Sequence, residues 1–164
     1  MVQWDRHVMA VSAAAILLIG GVAFAEGDST APAGVLVTPE SVQWAPAPAS
    51  LPPGANIAVL EGDPSKPGPF TLRLKFPPNY RVAPHWHPAD EHVTVLAGGI
   101  HLGLGDTFEQ TGGQSLPAGS FRVMPAMVHH FGWTTTEETI LQLHGQGPWE
   151  IHYLNPADDP RHPQ

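Results

Sequence analysis

Apolar and polar residues alternate along the chain at the spacing of β-strands. In the run Phe70–Phe76, Phe70, Leu72 and Leu74 alternate with polar or charged residues. This period of two is typical of a strand with one buried face. After residue 25, no window carries the apolar stripe of an amphipathic helix. Similar short runs are Ile57–Leu60, Phe70–Phe76, His92–Leu96, Ile100–Leu104, Phe121–Met124, Phe131–Thr134, Thr139–His144 and Trp149–Tyr153.

Glycine, proline, asparagine and aspartate separate these runs. The chain has 19 prolines and 17 glycines among 164 residues, which is unsuitable for a helical bundle but usual where many strands are joined by turns. Short strands at regular intervals indicate an antiparallel sandwich or barrel. The sequence therefore predicts a single all-β domain over residues 55–156, followed by a polar tail at 157–164.

The first 25 residues have the pattern of an export signal. The segment Val8–Val22 is almost wholly apolar, and Ala23-Phe24-Ala25 has the small-x-small form of a signal-peptidase site. A membrane span needs about 20 apolar residues, so this segment is short for one. We expect cleavage near Ala25, a periplasmic or secreted product and no stable membrane span afterwards. The alternative is an uncleaved anchor.

Residues 26–54 are rich in alanine and proline. This composition is typical of a linker or arm without a core of its own. We expect it to contain at most one edge strand, around Val35–Val37 or Val42–Trp44.

Charge and cysteine content exclude several classes of function. The formal net charge is −8, which argues against a broad basic surface for nucleic acid or anionic lipid. The chain has no cysteine, so disulfides, thiolate zinc sites and iron–sulfur clusters are excluded. It has ten histidines. Any metal site must therefore consist of imidazole and carboxylate groups.

One segment combines such groups at a useful spacing. In extended chain, positions two apart point to the same side, so His85 and His87 can present two imidazoles to one point. Glu91 follows after three residues that include Pro88, which is enough for a turn that returns a carboxylate to that point. Two imidazoles and a carboxylate leave coordination positions free on a first-row metal. A second block, Gly119 to Phe131, contains Pro125, His129 and His130.

Together the two blocks resemble the motifs of the cupin superfamily. The first cupin motif is Gly, five residues, His-x-His, three or four residues, Glu, six residues, Gly. This chain has Asn79, His85, His87, Glu91 and Gly98 at those positions.

The second cupin motif is Gly, five residues, Pro-x-Gly, two residues, His. Here Gly119, Pro125 and His130 match, while Met127 replaces the glycine. Asparagine tolerates the left-handed conformation that the first motif's glycine adopts, whereas methionine does so less readily. His129 is accordingly the rival of His130 for the last ligand position.

The resemblance implies a fold and a site. The fold is an antiparallel double-stranded β-helix, the cupin jelly-roll barrel. The site is a divalent metal, whether Fe, Mn, Ni, Cu or Zn, held by His85, His87, Glu91 and His130. Gln142 and His144 share one face of their strand. That face is either external or lines the cavity, where both side chains would support the ligands through hydrogen bonds.

The resemblance also implies a function. It favours a small exported metalloenzyme of the dioxygenase or oxidase type that acts on a small oxygenated substrate, with Glu91 also shuttling a proton. The alternatives are a non-catalytic cupin that senses or stores a metal or ligand in the cell envelope, and a barrel that a metal merely stabilises. Relatives often dimerise through an N-terminal strand, so a homodimer is a further expectation.

Overall fold

The computed structural model describes residues 34–162, and these residues belong to one compact unit. The predicted signal peptide, residues 1–25, lies outside the described residues. None of the helices within residues 34–162 has the length and apolar character needed to cross a membrane. They are short 3-10 turns at Pro39–Ser41, Gln110–Gly112 and Pro156–Asp158.

The described residues form two antiparallel sheets. One sheet has the strand order β1-β2-β3-β10-β5-β8, and the other has the order β11-β4-β9-β6-β7. This architecture confirms the predicted all-β jelly-roll barrel. The strands are β1 (Ala45–Pro46), β2 (Asn56–Glu61), β3 (Gly68–Phe76), β4 (Arg81–Trp86), β5 (Glu91–Ala97), β6 (Gly99–Leu104), β7 (Gln114–Pro117), β8 (Phe121–Met124), β9 (His130–Thr134), β10 (Thr139–Gly147) and β11 (His152–Tyr153).

The core lies between the sheets and consists of the inward residues of each strand. On β3, Phe70, Leu72 and Leu74 are buried, while the residues between them are only partly covered. The alternation in the sequence therefore predicted this strand and its buried face correctly. Burying apolar side chains of this size stabilises the fold by about 1.5–3 kcal/mol each.

Two expectations about strands were wrong. The edge strand of the arm lies at Ala45–Pro46, where it pairs with β2, and at neither of the expected positions. In Trp149–Tyr153 only His152 and Tyr153 form a strand, β11. Strand β4 was not among the predicted runs because Pro84 interrupts its pattern. Proline has no N–H to donate, and the pairing of β4 with β9 shifts register beside it, between Val82 and His85.

Candidate metal centre

Three imidazoles converge at one point in the barrel. His85 lies near the end of β4 and pairs directly with His130, the first residue of β9. His87 follows β4 immediately. One nitrogen from each of these rings lies within 4.8 Å of the corresponding nitrogens of the other two. All three side chains are buried, with exposed fractions of 6% for His85, 3% for His87 and 2% for His130.

Backbone carbonyls fix the orientation of each ring. The Nδ1 atom of His85 lies 2.7 Å from the carbonyl oxygen of Ala83, and that of His130 lies 3.0 Å from the carbonyl oxygen of Val128. The Nδ1 atom of His87 lies 2.6 Å from the carbonyl oxygen of Glu150. A carbonyl can only accept a hydrogen bond, so each Nδ1 carries the proton and donates it. The lone pair of each neutral ring is therefore on Nε2.

Glu91 adds a carboxylate to the same point. Its Oε2 lies 3.7 Å from Nε2 of His87 and 3.6 Å from Nε2 of His130. Glu91 is the first residue of β5 and is buried. Burial raises the pKa of Glu91, but positive charge on the adjacent imidazoles of His87 and His130, once they are protonated, outweighs burial and lowers it to about 2. The group is thus a carboxylate at neutral pH.

These donors fit a divalent metal ion. The Nε2 atom of His87 is fully buried and has no hydrogen-bond partner among the described residues. Buried polar atoms without a partner are rare in folded proteins, and a bound ion can serve as the partner of such an atom. Imidazole nitrogen and carboxylate oxygen suit Fe, Mn, Ni, Cu and Zn. The metal's identity is therefore not fixed by this donor set.

Burial also keeps two of the imidazoles neutral. It lowers the pKa of His85 well below 6.5, with the neighbouring charges of His130 and His87 acting in the same direction. Burial likewise lowers the pKa of His87, although Glu91 opposes the shift. Neutral imidazole is the form that binds a metal. His85 and His87 are thus already in the form that metal binding requires.

This has a consequence for the stability of the metal-free protein. Below pH 6.5 both imidazoles become protonated in the unfolded chain but stay neutral in the folded chain. Unfolding therefore takes up protons, and the free energy of unfolding decreases as the pH is lowered. Each group costs up to about 1.4 kcal/mol per pH unit. We expect the free energy of unfolding to fall by about 1 kcal/mol from His85 alone between pH 6.5 and 5.5, and by more with His87, as measured by denaturant titration. Glu91, with its lowered pKa, adds to this loss only below pH 4.5.

A His85→Gln variant is the control for this expectation. It removes one of the two shifted groups and should make the pH dependence of stability distinctly shallower. The same slope in both proteins would show that His85 is not held neutral by the fold.

The cavity beside these four side chains is small and apolar. Its volume is about 50 Å³. Within residues 34–162, the four predicted ligands are the only titratable side chains that line it. The rest of its lining comprises Leu51, Leu74, Phe76, Val82, Val93, Ile100, Leu102, Gly132, Leu141, Leu143, Trp149 and Ile151.

The two positions that depart from the cupin motifs both adopt left-handed backbone. Asn79 has φ of 58° and Met127 has φ of 64°. For a residue with a Cβ atom this conformation costs about 1–2 kcal/mol. The Met127 N–H donates to the carbonyl of His87 at 2.9 Å, so this turn links the two ligand-bearing blocks. The turn therefore keeps the shape that glycine would give it.

His129 and His130 point in different directions. The side chain of His129 is 38% exposed, and its Nδ1 lies 2.7 Å from the Asp106 carboxylate at the surface. His130 is buried with the other two imidazoles. The geometry thus brings His130 into the cluster and leaves His129 outside, as the cupin spacing predicts.

The suggestion that Gln142 and His144 support the ligands is corrected by the structure. On β10 it is Leu141 and Leu143 that are buried and line the cavity, so the alternate positions face outward. Gln142 accepts a hydrogen bond from Nε of Arg73 at 3.1 Å. The exposed ring of His144 stacks on His92 across the strands, with centroids 4.6 Å apart.

Sequence reasoning did not single out the segment that supports His87. The ring of Trp149 stacks on His87 with a centroid distance of 4.4 Å, and the next residue, Glu150, supplies the carbonyl that holds His87 Nδ1. The backbone N–H of Trp149 donates a hydrogen bond to the carbonyl of Pro64 at 2.7 Å. A tryptophan in a β-rich chain is most often core, so its presence alone did not reveal this role.

Comparison with known protein families gives a match to the sequence. The family model described as the ChrR cupin-like domain matches residues 32–150, which is well over half of the chain. A comparison with curated proteins gives no match.

Several solved structures have a similar fold. The polyketide cyclase RemF from Streptomyces resistomycificus has a TM-score of 0.60 and 18% identity, covering 78% of this chain and 93% of that one. A putative acetylacetone dioxygenase from Methylibium petroleiphilum has a TM-score of 0.57 and 20% identity, with coverages of 76% and 83%. An RmlC-like cupin from Shewanella frigidimarina has a TM-score of 0.53 and 15% identity, with coverages of 70% and 91%. At these identities the likeness concerns the fold alone.

Proposed function

The chain belongs to the ChrR cupin-like domain family within the cupin superfamily, and from this premise we propose that it is a metal-dependent enzyme of the dioxygenase or oxidase type. His85, His87, Glu91 and His130 hold one divalent ion. The substrate is a small, neutral, oxygenated molecule. The observation that carries the proposal is the hydrogen bonding of the three imidazoles at Nδ1, which leaves each Nε2 free to face the point where the rings converge, beside the Glu91 carboxylate.

This donor set matches an open metal site rather than a closed one. Four protein ligands around a first-row metal of octahedral preference leave two positions for exogenous oxygen ligands. A metal ion held by these four side chains would supply Lewis acidity and redox capacity to an oxygen-containing substrate.

The surrounding residues have separate roles. The apolar wall, which includes Val93 and Leu143, accommodates the hydrocarbon part of the substrate and excludes bulk water. Glu91 is ionised at neutral pH, and it is the only carboxylate lining the cavity within residues 34–162. It is therefore the group positioned to accept a proton from the substrate. His87 is held in place by the Glu150 carbonyl and by Trp149.

Oxygen uptake tests this proposal. Acetylacetone is a suitable probe because it is small and neutral and carries two oxygens, and the name of one structural neighbour includes it. We expect the iron-loaded protein to consume dioxygen in proportion to the probe added, as followed with an oxygen electrode. A His85→Ala variant should consume none. Stoichiometric iron binding without uptake for acetylacetone or related small diketones would contradict an oxygenase function.

One observation favours the non-catalytic alternative. Within residues 34–162 no acid or base lines the cavity apart from the four proposed ligands, so proton transfer has to use one of them. A protein that only senses or stores a metal or small ligand in the cell envelope needs no such group. The predicted export signal is consistent with either function.

A further inference from the structure

The wall of the cavity includes one residue of the arm. Leu51 lies in the connection between the edge strand β1 and β2, whereas the other lining residues come from β3 onward. The arm forms a turn over residues 47–55, in which the Ala47 N–H donates to the Ala55 carbonyl at 3.0 Å. We call this segment the arm turn. Inside it, the Leu51 N–H donates to the Pro48 carbonyl at 3.0 Å.

Two tyrosines hold the arm turn on both sides of Leu51. The Tyr153 hydroxyl donates to the carbonyl of Ser50 at 2.8 Å, and the Tyr80 hydroxyl donates to the carbonyl of Pro52 at 2.5 Å. Both tyrosines belong to the barrel unit, since Tyr80 directly precedes β4 and Tyr153 lies in β11. The backbone on both sides of Leu51 is therefore held by hydrogen bonds from the two tyrosines.

Tyr153 also connects the arm turn with the metal centre. Its ring lies 5.9 Å from the ring of His85 between centroids, while its hydroxyl contacts Ser50. A single tyrosine side chain thus spans the distance between a proposed ligand and the arm turn. The four polar side chains and Leu51 line the same cavity of about 50 Å³, so an alkyl chain on a metal-bound ligand has only a short distance to extend before it meets the apolar wall.

We propose that Leu51 is a specificity-determining residue that limits the length of the alkyl chain that a metal-bound ligand can carry. The proposal rests on the proposed function, because it assumes a ligand whose oxygens face the four polar side chains. It narrows the substrate class to oxygenated molecules with short alkyl groups.

Alkyl hydroxamates of increasing length test this proposal without requiring turnover. They bind metals through two oxygens and differ only in the tail, from acetohydroxamate to octanohydroxamate. Binding to the zinc-loaded protein is measured by calorimetry. We expect the protein to bind short tails and reject long ones. Each buried methylene adds about fourfold in affinity, so Leu51→Ala should raise affinity for tails two carbons longer by about tenfold or more.

Two further variants separate the outcomes. Leu51→Phe should reject tails that the unmodified protein accepts, which gives a result even if the alanine variant folds poorly. Leu36→Ala makes the same substitution in the arm at an 87% exposed position and should leave the length limit unchanged. An identical length limit in all four proteins would overturn the role of Leu51 while leaving the metal site intact. Failure of every protein to bind zinc or any hydroxamate would overturn both this inference and the proposed function.

Discussion

Replacing His130 with alanine is expected to remove nearly all metal from the purified protein. His130 pairs with His85 across β4 and β9, their ring centroids lie 4.2 Å apart, and the His130 Nε2 lies 3.6 Å from the Glu91 carboxylate. Loss of a group that only hydrogen-bonds a ligand lowers metal affinity about 10–100-fold, so loss of a ligand should exceed this range. Elemental analysis of protein purified from its own compartment measures the effect as metal per chain.

The neighbouring histidine is the matched control. His129→Ala removes the same side chain one residue earlier, from a partly exposed position beside Asp106, and should leave the metal content unchanged. His130→Asn should also lose metal while leaving less empty volume in the buried site. If the alanine variants at 129 and 130 retained equal, stoichiometric metal, the assignment of His130 would be wrong.

Removal of the metal is expected to lower the free energy of unfolding by about 3–4 kcal/mol. A ligand that binds only the folded state stabilises it by about 2.7 kcal/mol at 100 times its dissociation constant and by about 4.1 kcal/mol at 1,000 times. His130 begins β9, whereas His85 and His87 lie together at the end of β4, so the unfolded chain does not present all three rings at one point. Denaturant titration with and without a chelator measures this difference.

The same titration on His130→Ala provides the control. This variant should unfold at the same denaturant concentration whether or not the chelator is present, because it has no bound metal to lose. An unmodified protein that is equally stable with and without the chelator would contradict the proposed site. A chelator effect of the same size in the variant would show that the metal binds elsewhere.

A strand could be predicted from the sequence where one of its faces is buried and the other is exposed to solvent. The run Phe70–Phe76 is such a case, and its alternation predicted both the strand and its inward side chains. Alternation divides the residues of a strand between two faces. It does not show which face points into the core when both faces carry apolar or neutral residues. For that reason the position of Gln142 and His144 stayed open until the structure showed that Leu141 and Leu143 face the core.

Three of the proposed ligands were predictable because their spacing is local, whereas His130 was expected from the resemblance to the second cupin motif. His85 and His87 lie two residues apart at the end of one strand, and Glu91 begins the next strand. The contacts of Trp149 and Leu51 at the site were not predictable, because they depend on hydrogen bonds between distant segments that no sequence pattern records. Examples are the bond from the Trp149 backbone N–H to the Pro64 carbonyl and the bonds from Tyr153 and Tyr80 to the carbonyls beside Leu51.

Anomalous diffraction at the metal's absorption edge is the most direct test of the site. We expect crystals of the metal-loaded protein to show one strong peak between the Nε2 atoms of His85, His87 and His130 and the carboxylate of Glu91, at about 2.0–2.2 Å from each donor. A peak at any other place on the chain, or none here at full metal occupancy, would contradict the convergence of these four side chains on one ion.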